Sequence, residues 1–195
     1  MDQKKEKSKP VLKTVYNILF FGLLIFFIFS TDAKSWVLRQ MVSIGLFKPD
    51  IQKEGIKSEG TNVTFSFQDE KGNIISSNDL KGKVVFINFW ATWCPPCRAE
   101  MPSLSEMYNK LKDDDRYVFL FVNEDEDPAK ATAYLQKNNF SMPVITRAGQ
   151  IPPQVFSGTL PTTVVLNKEG RIVMKKEGLA NYNNDDFLKQ LEDLL

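Results

Sequence analysis

The sequence predicts an α/β protein in which a central mixed β-sheet is flanked by helices. Two observations carry this prediction: strand, helix and strand alternate in the middle of the chain, and strand, strand and helix follow at its end. The first order makes the parallel pair of a βαβ unit, and the second adds an antiparallel pair. A third observation, an apolar N-terminal run, predicts a membrane anchor, with a β-hairpin between the anchor and the sheet.

Composition limits the class of protein. Of 195 residues 43% are hydrophobic, and about 135 residues remain for one domain once the N-terminal region is set aside. Acidic and basic residues are interspersed and leave a net charge of +1, so the chain has no basic field for nucleic acid. We therefore expect no nucleic-acid partner.

The N-terminal segment carries the signals of a membrane anchor. Several lysines precede an apolar run from Val15 to Phe29, and flanking residues extend the predicted span to residues 14–31. The lysines place residues 1–13 in the cytoplasm and the rest of the chain on the periplasmic side. We therefore expect a single-pass protein of the cytoplasmic membrane, held in the lipid bilayer by this helix. A cleaved signal peptide is the alternative, with Thr31-Asp32-Ala33 as a weak cleavage site.

Residues 32–61 are predicted to form a juxtamembrane helix and a linker. Apolar residues recur at nearly helical spacing from Trp36 to Phe47. This pattern fits either an interfacial helix lying on the membrane or a short helix packing on the domain. Pro49 to Thr61 has the Gly, Lys, Glu and Ser content of a linker, which leaves residues 62–195 as the folded domain.

The elements of that domain follow from hydrophobic periodicity and turn signals. Val84 to Phe89 is continuously apolar, so we expect it to be the central strand. Pro128 is placed to begin a helix, and the acidic residues Glu124 to Asp127 before it are predicted to be a solvated helix start rather than a metal site. The other predicted elements are a hairpin of Val63–Phe67 and Ile74-Ile75, a helix after Cys94, strands at Tyr117–Val122, Pro143–Ile145, Thr162–Leu166 and Ile172–Lys175, a short helix at Gln150–Phe156 and a closing helix at Asp185–Leu194.

The central strand leads into Trp93-Cys94-Pro95-Pro96-Cys97, which holds both cysteines of the chain. Cysteines three residues apart in a first helical turn can be bonded or separated with little backbone movement. If the helix begins at Cys94, free N–H groups and the helix dipole stabilise a thiolate there, so Cys94 is the expected attacking sulfur. Cys97 is the expected shielded, resolving thiol. The two prolines suit the opening turn, where a missing N–H matters little.

Three other interpretations of the cysteine pair compete with a redox role. A structural disulfide closing so small a loop would constrain the unfolded chain little. A metal site would need further ligands, but the chain has no His and no third Cys. Chance spacing is disfavoured by the strand before the pair, the helix pattern after it and the two prolines within it.

Three separated motifs resemble membrane-anchored thioredoxin-like proteins of the TlpA/ResA type. They are Asn88-Phe-Trp-Ala-Thr-Trp-Cys-Pro-Pro-Cys97, Arg98-Ala-Glu-Met-Pro102 and Thr159-Leu-Pro-Thr-Thr163, and the resemblance covers about Val63 to Leu195. It implies a thioredoxin-like fold and a thiol-disulfide oxidoreductase acting on disulfides of exported proteins, such as apocytochrome c. Electrons would come from a membrane donor, and thiol exchange would need no organic or metal cofactor.

The resemblance also implies a substrate-binding surface around the cysteines. Pro161 falls where thioredoxin-like folds place a cis-proline beside the disulfide, and an X-Pro bond adopts cis at modest cost. The backbone of Leu160 would pair with the bound substrate chain. Trp93, Pro95 and Pro96 would complete the surface, with Trp93 shielding the pair.

The resemblance further implies an acid near the cysteines. Glu100 matches this position, where a carboxylate would raise the thiol pKa and could pass protons to Cys97. Asn88 stands where thioredoxin itself has a buried Asp, and because Asn cannot accept a proton, Glu100 would inherit that task. The same charge would favour the disulfide, which predicts a reductant. A disulfide-forming oxidase and a non-catalytic, membrane-tethered binding module remain the alternatives.

Overall fold

The computed structural model describes residues 8–51 and 64–195, with side chains from Leu12 onward. Most of the predicted linker, as well as Val63 and the first lysines, lies outside these residues. The described helices are α1 (Ser8–Phe29), α2 (Thr31–Ser43), a 3-10 helix (Ser77–Leu80), α3 (Pro95–Leu111), α4 (Pro128–Lys137) and α5 (Asp185–Glu192). The strands are β1 (Ser66–Gln68), β2 (Ile74–Ser76), β3 (Val84–Trp90), β4 (Tyr117–Asn123), β5 (Thr146–Arg147), β6 (Thr162–Leu166) and β7 (Ile172–Glu177).

The main sheet has four strands in the order β4-β3-β6-β7. Strand β3 is central, as its continuous apolar sequence predicts, and all seven of its residues are buried. It pairs in parallel with β4, from Val84 opposite Tyr117 to Trp90 opposite Asn123, and antiparallel with β6. The predicted mixed sheet is therefore confirmed, and the carboxyl ends of β3 and β4 lie side by side.

The predicted hairpin belongs to a second, smaller sheet of order β2-β1-β5. β1 and β2 pair antiparallel as predicted, with Phe67 opposite Ile75. The strand expected at Pro143–Ile145 is displaced. Ile145 makes only an isolated bridge to Val122, and the paired strand β5 begins at Thr146, against β1. Pro143 has no N–H to give to a sheet ladder, so regular pairing begins only after the chain has left the main sheet.

The two faces of the main sheet are covered differently. Alternation along β3 sends Phe86 and Trp90 into a cluster that holds the buried residues of α3, α4 and α5. Ile87 and Phe89 point into the opposite cluster, with residues of the small sheet and Leu80 of the 3-10 helix. Helices α3, α4 and α5 therefore pack on one face. The other face is covered mainly by the small sheet and by a loop whose Phe156 stacks on Phe89 with ring centroids 4.2 Å apart.

The prediction of a short helix at Gln150–Phe156 is wrong. The chain makes a single turn there, in which the N–H groups of Val155 and Phe156 donate to the carbonyl oxygen of Pro152, at 2.8 and 3.0 Å. Pro152 and Pro153 have no N–H for a regular helical ladder, and Gly158 follows in a left-handed conformation with φ of 96°. The turn still buries Val155 and Phe156 in the core.

The N-terminal helices differ in their bounds from the prediction. Helix α1 contains a stretch, Leu12–Phe29, that is long and apolar enough to cross a membrane by length and composition. Ser30 then leaves the helical conformation, with φ of −87° and ψ of 108°, and caps α2 by accepting from the N–H of Ala33. Helix α2 therefore starts five residues before the predicted Trp36, and ends at Ser43 just before Gly45, which has φ of 80°.

Candidate active site

The two cysteines form a disulfide at the start of α3. Their Cα atoms are 5.3 Å apart, and both side chains are almost fully buried. Cys94 is the N-cap, with extended φ and ψ, and its Sγ accepts from the N–H of Cys97 at 3.3 Å. Pro95 and Pro96 occupy the first two helical positions, which confirms the predicted helix start. Because Pro95 and Pro96 carry no N–H, the N–H of Cys97 is the first-turn donor that can stabilise a thiolate at Cys94, together with the helix dipole. The role of Cys94 as the attacking sulfur stays a prediction.

The loop between β3 and Cys94 is fixed by a carboxylate that the sequence analysis did not single out. Asp125 accepts from the backbone N–H of Thr92 at 3.1 Å and from its hydroxyl at 2.8 Å, and it also accepts from the side chain of Asn123. Because β3 and β4 are parallel, residues just past the end of β4 lie beside the loop that leaves β3. That topological rule was the signal that could have identified Asp125.

The acidic run as a whole is therefore only partly a solvated helix start. Asp127 caps α4 as predicted, accepting from the N–H of Ala129 at 3.0 Å. Glu124 is instead largely buried, pairs with Arg147 at 2.7 Å, and has a pKa raised by that burial. The prediction failed at Glu124 and Asp125 because single-sequence patterns do not show which loop lies opposite a strand end.

Pro161 lies at the same end of the main sheet as the cysteine loop. It immediately precedes β6, whose first residue, Thr162, is paired with Phe89 near the end of β3. The peptide bond between Leu160 and Pro161 is cis, as the resemblance implies. The pairing of Leu160 with a substrate chain stays a prediction.

The two tryptophans beside the cysteines differ in exposure. Trp93 is 62% exposed, so a large apolar surface stands next to Cys94 and is open to a partner chain. Trp90 is fully buried, and its ring lies 5.9 Å from that of Tyr134. Shielding of the pair by Trp93, and substrate contacts of Pro95 and Pro96, stay predictions.

Glu100 is fully buried on α3, one turn after Cys97. Its Oε1 accepts from the side-chain amide of Asn88 at 2.8 Å, and its Oε2 accepts from the N–H of Ala180 at 3.4 Å. Asn88 also donates to the hydroxyl of Thr163 at 3.0 Å, and Tyr182 donates to the same hydroxyl at 2.7 Å. The carboxyl is thus held at the end of a buried polar chain that crosses from α3 to β3 and β6.

Burial raises the pKa of Glu100 from 4.5 to about 8, although the hydrogen bonds from Asn88 and Ala180 act in the opposite direction. At neutral pH the carboxyl is therefore mostly protonated. Its expected negative charge, and the effect of that charge on the thiols, would appear only as the pH rises toward and above 8. This pKa is close to that of a thiol, and proton exchange between Glu100 and Cys97 stays a prediction.

Solved structures share this fold. StoA from Bacillus subtilis is 24% identical, with a TM-score of 0.53, over 70% of this chain and 98% of that one. The exposed lipoprotein thioredoxin of Streptococcus pneumoniae strain TIGR4 is 25% identical, with a TM-score of 0.54, over 67% of this chain and 99% of that one. A thioredoxin-like fold with a cysteine pair capping the helix after its central strand defines the class of thiol-disulfide oxidoreductases.

Sequence relatives narrow the class. The model of the AhpC/TSA family matches residues 60–175. The thiol-disulfide oxidoreductase ResA of Bacillus thuringiensis (strain Al Hakam) is 35% identical over 173 residues, which are 85% of this chain and 95% of that one. The chain belongs to the AhpC/TSA family and, within it, to the ResA/TlpA-like proteins of thioredoxin fold. The resemblance drawn from the three motifs is confirmed, and the protein is a thiol-disulfide oxidoreductase.

Proposed function

We propose that this protein reduces disulfides of exported proteins, working from the outer face of the cytoplasmic membrane. Reduced Cys94 attacks the substrate disulfide, and one substrate sulfur leaves as a thiol. Cys97 then attacks Cys94, which releases the second substrate thiol and leaves the Cys94–Cys97 disulfide. Two electrons pass from the cysteine pair to the substrate, and a membrane donor of electrons returns the pair to its reduced form. The exchange needs no organic or metal cofactor.

The observation that carries this proposal is the buried carboxyl of Glu100, one turn beyond Cys97. Cys97 must lose a proton before it can attack, and it must regain one when the donor reduces the pair. A carboxyl whose pKa is about 8 matches a thiol closely enough to serve both steps near neutral pH. We assign Glu100 this proton-exchange role, with Asn88 holding it in place.

The charges beside the pair support a reductant rather than an oxidant. Strong oxidants of this fold stabilise the thiolate and so have a reduced form of low energy. Arg98, the residue after Cys97, is a cation that would stabilise a nearby thiolate. Its guanidinium, however, pairs with Asp32 and lies over the ring of Tyr134, 5.2 Å from the centroid. The positive charge is thereby partly neutralised.

Membrane anchoring and the substrate class rest on the N-terminal segment and on the family. Helix α1 supplies a candidate span, and the lysines before it orient the domain outward. With that orientation the substrates are exported proteins, and apocytochrome c is the candidate that the resemblance favours.

Redox equilibration tests the direction of the reaction. The protein, equilibrated in buffers of reduced and oxidised dithiothreitol or glutathione, should show a potential near the thioredoxin value of about −270 mV rather than the −120 mV of a dedicated oxidase. It should also reduce insulin with dithiothreitol as donor. A potential near the oxidase end would overturn the reductase assignment, and failure to reduce insulin would favour a binding module.

A further inference from the structure

Helix α2 has two opposite faces of different character. One faces the domain and buries Ser35 and Val42. At 100° per residue the opposite face carries Trp36, Val37, Gln40 and Met41, and the C-cap residue Ile44 continues it. All five are exposed, and only Gln40 among them is polar. Trp36 is 62% exposed and Ile44 is 74% exposed. An apolar helix face of this kind, uncovered in the described structure, indicates an interaction surface.

The buried face of α2 is fixed to the catalytic helix α3. Asp32, in the first turn of α2, pairs with Arg98, and Arg39 donates to the carbonyl oxygen of Arg98 at 3.4 Å. Further along, the side chain of Asn181 donates to the carbonyl oxygen of Val42 at 3.2 Å. Because Arg98 directly follows Cys97, the contacts of Asp32 and Arg39 with Arg98 connect α2 to the first turn of α3.

The start of α2 is close to the end of the candidate membrane span. Helix α1 ends at Phe29, and only Ser30, in an extended conformation, separates it from Thr31. The chain can change direction at Ser30 because that residue is not helical. If α2 continued outward instead, Trp36 would lie about 10 Å beyond Phe29, at a rise of about 1.5 Å per residue.

We propose that the exposed face of α2 lies in the interfacial region of the lipid bilayer, so that α2 is sandwiched between membrane and domain. This inference rests on the membrane anchor of the proposed function. Lipid is the occupant because Ser30 alone separates α2 from the candidate span, which brings the bilayer surface close to the start of α2. In addition, Trp beside aliphatic residues is the composition that interfacial helices bury. The cysteine pair is then held near the membrane surface, where it meets partners that are themselves bound to the membrane.

Tryptophan fluorescence in lipid nanodiscs tests the position of α2. The full chain carrying Trp93→Phe keeps only Trp36 and the buried Trp90. Phospholipids brominated near the headgroup end of the acyl chain should quench most of the Trp36 emission, and lipids brominated near the chain end should quench it less. Adding Trp36→Phe should abolish the quenching. Equal quenching with and without Trp36 would overturn the proposal.

Charged substitutions provide a matched comparison. Met41→Glu combined with Ile44→Glu should cause loss of the quenching, because carboxylates resist transfer into the interface. Ile74→Glu, at a position on β2 that is 58% exposed, should leave it unchanged. If Trp36 is protected from aqueous acrylamide yet not quenched by brominated lipid, a protein or a second copy covers the face, and the lipid assignment is wrong.

Insulin reduction by the wild-type chain, which keeps Trp93, in nanodiscs of the same lipids separates this inference from the proposed function. Activity without quenching would contradict only the placement of α2 on lipid. Quenching without activity would contradict only the proposed reductase.

Discussion

The carboxyl of Glu100 shows how one buried residue links the chemistry of this site to the stability of the fold. Its pKa of about 8 lies well above the ordinary 4.5, so the folded protein favours the neutral form. Below pH 4.5 the folded and unfolded chains both bind the proton. Between 4.5 and about 8 the unfolded chain releases it while the folded chain keeps it, so stability falls as the pH rises through this window.

Substitution of Glu100 by Gln should remove this pH dependence. Relative to wild type, the free energy of unfolding of Glu100→Gln should rise between pH 4.5 and 8. The gain is about 1.4 kcal/mol for each unit by which the folded pKa exceeds the unfolded one. Urea denaturation of the oxidised protein at several pH values measures it, with exposed Glu169→Gln as the control. A difference that does not vary with pH would contradict the raised pKa.

Cys97→Ser should accumulate mixed disulfides through Cys94. The attack by Cys94 still proceeds, but the serine hydroxyl cannot resolve the adduct. Cells that produce the variant should contain adducts that reducing agents release, visible as bands of higher mass in non-reducing gels. Cys94→Ser is the control and should trap none. Adducts that form in Cys94→Ser alone would reverse the roles assigned to the two sulfurs.

At the scale of elements, the loop before Cys94 depends on a neighbouring strand end. Asp125→Asn should weaken the hydrogen bonds from Thr92, because the amide presents its NH₂ group where a carboxylate oxygen stood. We expect a loss of about 1–3 kcal/mol in the free energy of unfolding and faster reduction of the Cys94–Cys97 disulfide by dithiothreitol. Glu126→Gln removes the same charge from an exposed neighbour. It should change the free energy of unfolding by no more than about 0.5 kcal/mol and leave the rate of disulfide reduction unchanged. Equal effects of the two substitutions would show that charge, and not loop anchoring, matters.

The elements that the sequence predicted well are those with strong local signals. Strand β3 is continuously apolar, and α3 begins where Cys94, Pro95 and Pro96 place it. The failures came where local signals conflict with tertiary pairing. Ile145 has strand propensity, but the regular pairing begins only at Thr146, where β5 pairs with β1 of the hairpin near the start of the domain. No pattern in the neighbouring sequence predicts that pairing.

The site was predictable to the extent that residues near in sequence are near in space. Cys94, Cys97 and Glu100 share one helix, so their spacing indicated a common site. The burial of Glu100 was not predictable, because it depends on Asn88 and Ala180, which come from other parts of the chain. The resemblance to a family supplied the position of Pro161, for which no local pattern would have sufficed.

At the scale of the whole molecule, the N-terminal segment is attached to the domain by the contacts of α2. Helix α2 joins the candidate membrane span to the catalytic helix, and Asp32 reaches Arg98 across that contact. Removal of both N-terminal helices would therefore also remove the contact of Asp32 with Arg98, the residue after Cys97. With the proposed membrane anchor, α2 would keep the site at a set distance from the membrane, because it is docked on the domain directly after the candidate span.

The orientation of the whole chain in the membrane can be tested by labelling the cysteines from outside. The lysines before the apolar run from Val15 to Phe29 predict that the N-terminus is cytoplasmic and that Cys94 lies outside the membrane. In intact spheroplasts treated with dithiothreitol, a membrane-impermeant thiol reagent should label the protein through Cys94 or Cys97, the two cysteines of the chain. The double variant Cys94→Ser/Cys97→Ser is the control for background labelling. Labelling that appears only after lysis would place the cysteine pair in the cytoplasm, and it would overturn both the orientation and the assignment of exported proteins as substrates.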